Sequence, residues 1–252
     1  MIRALRSRPF LAAVACLALA GWTQPATGQI PDKFTNLKVL PQDIAKDDLV
    51  NTMRAFSGAL GVRCTHCHVG GTTGDLREMH FSADDKKEKR IARTMLAMVG
   101  EINGTLIPKT GIENPIQVKC ATCHHGVERP RPIADVTKME FEKAGIDSAK
   151  ANYLALKEKY YGSDAYNFKP GPLNSVAEWL SQEKQDNDAA IAIMKFNIEQ
   201  NPDVATCYNL LGRLQAGAGK KAEAITSLKK AIELDPEDKW SQGILKKLEE
   251  EK

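Results

Sequence analysis

Two five-residue stretches constrain this chain more than any other feature. Residues 64–68 read CTHCH and residues 120–124 read CATCH, so the pattern C-x-x-C-H occurs twice. In this pattern the two thiols form thioethers with the vinyl groups of a haem, and the adjacent histidine donates a ring nitrogen to the iron. One copy is moderate evidence, whereas two copies in one chain are strong evidence. The sequence therefore predicts two covalently attached haem c groups.

The predicted attachment residues fall into two sets of the same composition. They are Cys64, Cys67 and His68 for the first haem and Cys120, Cys123 and His124 for the second. The alternative is one zinc site of four thiolates, because C-x2-C pairs also hold tetrahedral zinc. That alternative predicts neither a histidine directly after the second cysteine of both pairs nor any particular compartment.

Attachment of haem c takes place outside the cytoplasmic membrane, so the chain needs an export signal. Three arginines lie within residues 1–8, an apolar run covers residues 10–20, and the small residues 26–28 form a cleavage site. Residues 1–28 are thus predicted to be a signal peptide and the mature protein to reside in the periplasm. The apolar run is too short to span a bilayer, and no later run approaches eighteen apolar residues. No transmembrane segment is expected in the mature chain.

The remaining cysteines and the charge balance exclude several other classes. Cys16 leaves with the signal; a lipoprotein is the alternative, but Ala13 stands where a lipobox usually has leucine. Only Cys207 is then left, so a disulfide framework is excluded, and Cys207 is predicted to be a small buried hydrophobe. Removing the three signal arginines leaves 32 basic against 32 acidic residues. This balance predicts no nucleic-acid partner.

Helical periodicity predicts an all-α fold with a dihaem unit at residues 29–132. An apolar stripe at Leu49, Met53, Phe56 and Leu60 precedes the first motif, and a second stripe runs from Ile91 to Ile102 ahead of the second motif. The unit is helix, turn and haem motif, used twice. It contains few aromatic residues, so we expect the haem faces to supply much of its buried apolar surface. A proline-rich segment ends it at residues 126–132.

The C-terminal part repeats with a period of 34 residues. Asn201-Pro202 recurs as Asp235-Pro236, and Ala190-Ile191 recurs as Ala224-Ile225, which is the tetratricopeptide period. The prediction is a linker with a connecting helix at 133–170 and a tetratricopeptide-like array of helical hairpins at 171–252. Two repeats are fewer than the usual three. Either the helices around residues 151–161 and 173–180 complete the stack, or the repeats pack on the haem part.

An electron-transfer haem needs a sixth ligand, and methionine is usual where a high potential is wanted. Met53 lies on the stripe ahead of the first motif, and from spacing alone it is either that ligand or a core residue. For the second haem the candidates are Met98, Met95 and His80. His66 and His125 adjoin attachment residues but point elsewhere in any regular backbone, so we expect neither to bind iron.

Three segments resemble a known family. Residues 60–68 (LGVRCTHCH) with Met53 ahead of them, and residues 98–103 (MVGEIN) leading to residues 120–126 (CATCHHG), are similar to the C-terminal half of the multihaem cytochrome c subunit of photosynthetic reaction centres. The resemblance implies that Met53 is the sixth ligand of the first haem. It also implies that the family's matching later haem can take a histidine from a segment missing here, which leaves Met98 as the leading candidate for the second haem.

The departures from the family bear on the partner. Family members carry four haems where this chain has two motifs, and the tetratricopeptide tail is foreign to the photosynthetic subunit. The chain is interpreted as a relative that kept the haem unit and changed its partner. The expected partners are exported or membrane-bound redox proteins, with a protein or peptide at the tetratricopeptide surface.

Three functions remain open on this basis. The first is an electron carrier with two six-coordinate haems, in which case catalysis is absent. The second is a dihaem enzyme, peroxidase-like, with one open iron site and His80 as the distal acid or base. The third is an interaction module in which the repeats are the function and the metal motifs are structural.

Overall fold

The computed structural model describes residues 30–71 and 75–250 as an all-α protein, which confirms the predicted fold class. Within these ranges the only extended pairing is an isolated antiparallel bridge between Val69 and His80. The predicted signal peptide lies outside the described residues. The α-helices of the described part are α1 (Lys46–Leu60), α2 (Lys87–Glu101), α3 (Cys120–His124), α4 (Ile133–Tyr160), α5 (Pro170–Gln182), α6 (Asn187–Gln200), α7 (Ala205–Gly217), α8 (Lys221–Leu234) and α9 (Lys239–Glu250).

Helices α1 and α2 correspond to the two apolar stripes of the sequence. Asp47 and Asp48 occupy the first turn of α1, where a negative charge favours the helix N-terminus. The helix ends at Gly61, whose φ of 66° is left-handed. Helix α2 continues directly into a π-helical turn, Ile102–Leu106. Both predicted helices are thus confirmed.

The N-terminal part buries little apolar surface among its own side chains. In residues 30–71 and 75–126 the buried apolar side chains are Leu49, Ala59 and Met79. The stripe on α2 is partly open to solvent, since Ile91 is 56 % and Met98 44 % exposed while Met95 and Ile102 are half-buried. This part of the chain therefore has no extensive core made by protein atoms alone.

A carboxylate in the loop before α2 ties the start of the described chain to that helix. Asp84 accepts from the Asn36 amide at 2.9 Å and lies 2.7 Å from the Lys38 ammonium. It also lies 2.8 Å from the Arg93 guanidinium and 3.1 Å from the Lys89 ammonium, both on α2. The hydrogen bond from Arg93, followed by those from Lys38 and Asn36, holds the pKa of Asp84 well below its usual range.

The depressed pKa predicts an acid-sensitive link. A carboxyl group with a lowered folded-state pKa stabilises the fold fully above its unfolded pKa, and this stabilisation is lost as the pH falls toward the folded-state value. Asp84→Asn should therefore lower the urea midpoint of the haem part at pH 6, and the difference from the parent should shrink as the pH falls below about 4. The exposed neighbour Asp85, changed to asparagine, is the control. An equal difference at pH 6 and pH 3 would contradict the prediction.

The segment after the haem motifs is helical over most of its length. Pro132 precedes α4, which begins at Ile133. Gly145 interrupts α4 with a non-helical φ of 80° and ψ of −175°, so α4 consists of two helical halves. Aromatic side chains then close α4 onto the following helices: Tyr153 packs edge-to-face on Phe168 and on Phe196, with ring centroids 5.5 Å apart in both pairs.

The remaining helices form a stack of antiparallel hairpins. Helix α5 pairs with α6 and α7 with α8, α6 also packs on α7, and α9 packs on α8 at the end of the stack. One continuous core runs from Ile133 in α4 to Leu214 in α7. Because α4 packs on α5 and α6, the first of the two alternatives holds, and these helices complete the stack. In the described part of the chain, no helix is long and apolar enough to cross a bilayer.

Candidate haem-attachment sites

The first motif adopts a single helical turn. Residues Cys64–His66 form a 3-10 turn, and the His68 amide donates to the Cys64 carbonyl at 3.0 Å. Positions i, i+3 and i+4 share a face of a helical turn, so the turn groups the side chains of Cys64, Cys67 and His68. Both thiols are free, with Cys64 exposed and Cys67 half-buried.

The imidazole of His68 is held as a neutral base. Its ring packs edge-on against Phe81 with centroids 5.2 Å apart. Burial, followed by the positive charge of Lys89, lowers the pKa of His68. Its Nδ1 atom is buried and has no hydrogen-bond partner within residues 30–71 and 75–250. Because only the neutral ring offers a lone pair, this environment suits a metal ligand.

The second motif is a short helix with an oriented histidine. Helix α3 covers the whole motif, and the Lys119 amide at its start donates to the Thr122 hydroxyl at 3.0 Å. The His124 Nδ1 atom lies 3.0 Å from the Val127 carbonyl oxygen. Since a carbonyl oxygen only accepts, Nδ1 is the donor in this hydrogen bond, and in the neutral ring the lone pair then lies on Nε2. Such a hydrogen bond is the usual way in which a protein orients a metal-binding imidazole.

The residues present fit covalently bound haem c. The four motif cysteines are free thiols, as thioether formation requires. The surroundings of His68 favour its neutral ring, and the ring of His124 is oriented by its hydrogen bond to the Val127 carbonyl. The zinc alternative needs four converging thiolates. Among the described residues, no group of three or more histidine, cysteine or acidic side chains is placed to hold a metal ion. The two thiol pairs are therefore separate sites.

The two motifs belong to one packed unit. Helix α1, which leads into the first motif, packs on α3, which carries the second. The Gly126 amide, two residues after the second motif, donates to the Ala59 carbonyl at 2.8 Å. His66 of the first motif lies 3.8 Å from the carboxylate of Glu128. Sequence spacing gave no sign of these contacts, since they join residues about 60 positions apart.

The predicted sixth ligands occupy three different places. Met53 is half-buried on α1, whereas Met95 is half-buried and Met98 exposed on α2. His80 has an exposed side chain, and its backbone amide donates to the Val69 carbonyl at 2.8 Å, beside the first motif. His125 adopts a left-handed φ of 48° that ends α3, and its side chain is exposed. The assignment of Met53 and Met98 stays a prediction.

Two residues of the site were missed by the sequence analysis. The ammonium of Lys86 contacts the Thr65 carbonyl inside the first motif. The side chain of Asn103, in the π-helical turn after α2, makes two hydrogen bonds to the backbone of Val118 just before the second motif. An asparagine at the end of a helix is a common helix terminator, so the sequence alone held no signal of this longer-range contact.

Two family profiles match this chain. The profile described as "Photosynthetic reaction centre cytochrome C subunit" matches residues 24–193, and the profile described as "Tetratricopeptide repeat" matches residues 205–238. The first match extends beyond Gly126, where the sequence resemblance ended, through α4 and α5 and into α6. Those helices contain no C-x-x-C-H pattern, so single-sequence analysis had no chemical marker by which to assign them.

Two individual proteins were also similar. Cytochrome c-554 of Chloroflexus aurantiacus is 36 % identical over 69 residues, which is 27 % of this chain and 15 % of that protein. This chain thus spans about 15 % of the length of that relative. A solved structure, "First TPR of Spaghetti (RPAP3) bound to HSP90 peptide SRMEEVD", is 18 % identical and covers 46 % of this chain and 87 % of its own, with a TM-score of 0.33. A TM-score of 0.33 is too low to support a statement about the fold of this chain.

Proposed function

Because this chain belongs to the family of the photosynthetic reaction centre cytochrome c subunit, we propose that it is an exported dihaem c-type cytochrome that transfers single electrons between redox proteins. The observation that carries the proposal is the pair of C-x-x-C-H turns, each with free thiols followed by a histidine: His68 is buried and its pKa lowered, and His124 is oriented by a hydrogen bond to the Val127 carbonyl. The chain is a c-type cytochrome by family. The count of two haems, the export and the docking role of the repeats are our proposals.

Each motif holds one haem in this proposal. Haem c, when bound, supplies an iron that accepts and gives up one electron. Cys64 and Cys67 anchor the first haem and Cys120 and Cys123 the second, while His68 and His124 bind the irons. The hydrogen bond of His124 Nδ1 to the Val127 carbonyl would fix the orientation of the ring and leave Nε2 for the metal.

The proposed sixth ligands are Met53 for the first iron and Met98 for the second. A methionine opposite histidine raises the reduction potential and leaves no iron position open to a substrate. The protein is then a carrier without catalysis. An enzyme would instead need an acid or base beside an open iron, and the exposed side chain of His80 is the available candidate.

Export to the periplasm is proposed from residues 1–28, which have the features of a cleaved signal peptide. Covalent haem attachment requires that compartment. We further propose the division into a dihaem domain (29–132), a linker with a connecting helix (133–170) and a tetratricopeptide domain (171–252). Support comes from the described residues: 30–71 and 75–126 have no extensive protein core, whereas a continuous core follows from Ile133 onward.

The repeats are proposed to dock a protein or peptide. Helices α5 and α7 lie side by side in the stack and flank a groove lined by Glu178, Gln182, Leu210 and Arg213. Grooves of this kind are the binding surfaces of helical repeat proteins. The occupant that we propose is an exported or membrane-bound redox protein, which would thereby be held beside the haem unit.

A spectroelectrochemical titration of the periplasmically matured protein tests the proposal. We expect two one-electron waves and low-spin spectra in both oxidation states. A high-spin ferric signal, or ready binding of cyanide or carbon monoxide, would instead favour the dihaem enzyme. Protein that is exported intact but carries no haem would contradict both functions and leave the interaction module.

Met53→His tests the proposed ligand of the first iron. The variant should keep both haems, and one reduction potential should fall by a sizeable part of the about 0.8 V range that axial ligands span. Redox titration measures the change. Met139→His is the matched control, because Met139 is a half-exposed methionine on α4, outside the haem motifs. If both potentials stay at their parental values, Met53 is not a ligand.

A further inference from the structure

The end of α2 departs from regular helix at one place. Residues Ile102–Leu106 form a π-helical turn, in which the Ile107 amide donates to the Ile102 carbonyl at 2.8 Å. A π-turn admits an extra residue and so changes the direction in which the following side chains project. Such turns are rare and occur frequently at functional sites. Asn103 is the second residue of this turn.

The carboxamide of Asn103 bonds to one residue on another segment both as donor and as acceptor. Its Nδ2 donates to the Val118 carbonyl at 2.8 Å, and its Oδ1 accepts from the Val118 amide at 2.8 Å. Both bonds are partly buried. This pairing needs a donor and an acceptor on one short side chain. Aspartate lacks the donor and alanine lacks both.

Val118, the residue that Asn103 binds, lies just ahead of the second attachment motif. Val118 is followed by Lys119, the N-cap of α3, and then by Cys120. The loop that leads to it is poorly packed, since Ile112 is 65 % and Ile116 84 % exposed. Besides the contact of α3 with α1, the two hydrogen bonds between Asn103 and Val118 therefore hold the start of the motif in place. These hydrogen bonds connect the start of the motif to α2, the helix that carries Met95 and Met98.

We propose that Asn103 is a positioning residue for the second haem: its two hydrogen bonds to Val118 set the place of Cys120 and α3 relative to α2. The proposal rests on the proposed function, because it assumes haem at the second motif. Asn103 does not touch the iron. It acts through the backbone that carries the attachment residues, and so it would set where these residues hold a haem relative to the helix with the proposed sixth ligand.

The test compares three variants of the full-length matured protein. In Asn103→Ala the Val118 amide should exchange with deuterium on the order of tenfold faster, because its acceptor is gone. In Asn103→Asp the acceptor remains, so the Val118 amide should stay protected although the carbonyl loses its donor. In both variants one of the two reduction potentials should shift and the other should stay. Thr105→Ala, an exposed residue of the same turn, is the control and should change none of these.

Peptide mass analysis separates the possible failures. It should find less haem on the peptide with residues 120–124 in Asn103→Ala and full occupancy on the peptide with residues 64–68. If the parent protein lacks haem at the second motif, the proposed function fails. If the parent carries two haems and Asn103→Ala leaves both reduction potentials unchanged or shifts both equally, the positioning role is wrong. Should Asn103→Ala yield no protein, the two reduction potentials of Asn103→Asp decide: one must shift while the other stays.

Discussion

Replacing Cys64 and Cys67 together with alanine is expected to yield a protein with one haem and an N-terminal part that protease cuts on the order of tenfold faster or more. The reason is that most of the buried apolar side chains of the described residues lie in the C-terminal helices and few lie in the N-terminal part. Leu49, Ala59 and Met79 are the buried apolar side chains of residues 30–71 and 75–126, whereas one core extends from α4 to α7. A haem attached to the first motif adds two large apolar faces to the part that lacks a core.

The measurement is limited proteolysis with mass analysis of the fragments. Cleavage should concentrate before residue 130 and leave a stable C-terminal fragment. Cys207→Ala is the matched control, because this thiol is fully buried in the helical stack and burial raises its pKa to about 11, which makes it unreactive. The control should keep both haems. A double-alanine variant as resistant as the parent would refute the coupling of haem attachment to folding.

Gly61→Ala is expected to destabilise the haem unit by about 2–5 kcal/mol. Two costs combine at this position. The φ of 66° is left-handed, which an alanine adopts only with strain. A Cβ atom would also lie 2.1 Å from the Gly126 carbonyl oxygen, so the backbone after the second motif would have to move. That movement would disturb the Gly126–Ala59 hydrogen bond.

The neighbouring Gly58 gives a control on the same helix. It lies inside α1 without positive φ, and a Cβ there would meet nothing within 4 Å. Gly58→Ala should therefore stabilise the helix by about 0.5–1 kcal/mol. Urea unfolding followed by Soret absorbance reports on the haem unit, while Trp179 fluorescence reports on the helical stack. Equal urea midpoints by Soret absorbance for Gly61→Ala and the parent would contradict the close approach of Gly61 to the Gly126 carbonyl.

Much of the architecture was predictable because its signals are local. The apolar stripes that include Leu49 and Ile91 predicted α1 and α2, and the 34-residue period predicted the hairpin of α7 and α8. Helix formation depends on residues three and four apart, which one sequence displays directly. The family was recognisable for a related reason, since the attachment chemistry fixes residue types at fixed spacing.

The rest of the haem unit depends on contacts between distant residues. Asp84 joins Lys38 and Asn36, which lie 46 and 48 positions earlier in the sequence, to α2. The hydrogen bonds between Asn103 and Val118 connect residues that are separated by a loop of 14 residues. Asn, Asp and Lys occur throughout this sequence, and nothing in their spacing marks which of them pair. The choice between the two ways of completing the repeats was also made by packing, through Tyr153 of α4 against Phe168 and Phe196.

The sequence by itself determined the helices and the repeat and predicted the two sets of haem-attachment residues, because each depends on short-range periodicity or on a fixed chemical motif. The tertiary structure decided that the two motifs form one unit, with Gly61 against Gly126 and α1 on α3. The physical reason is that backbone approach depends on the three-dimensional path of two segments about 60 residues apart, and no local pattern encodes that path.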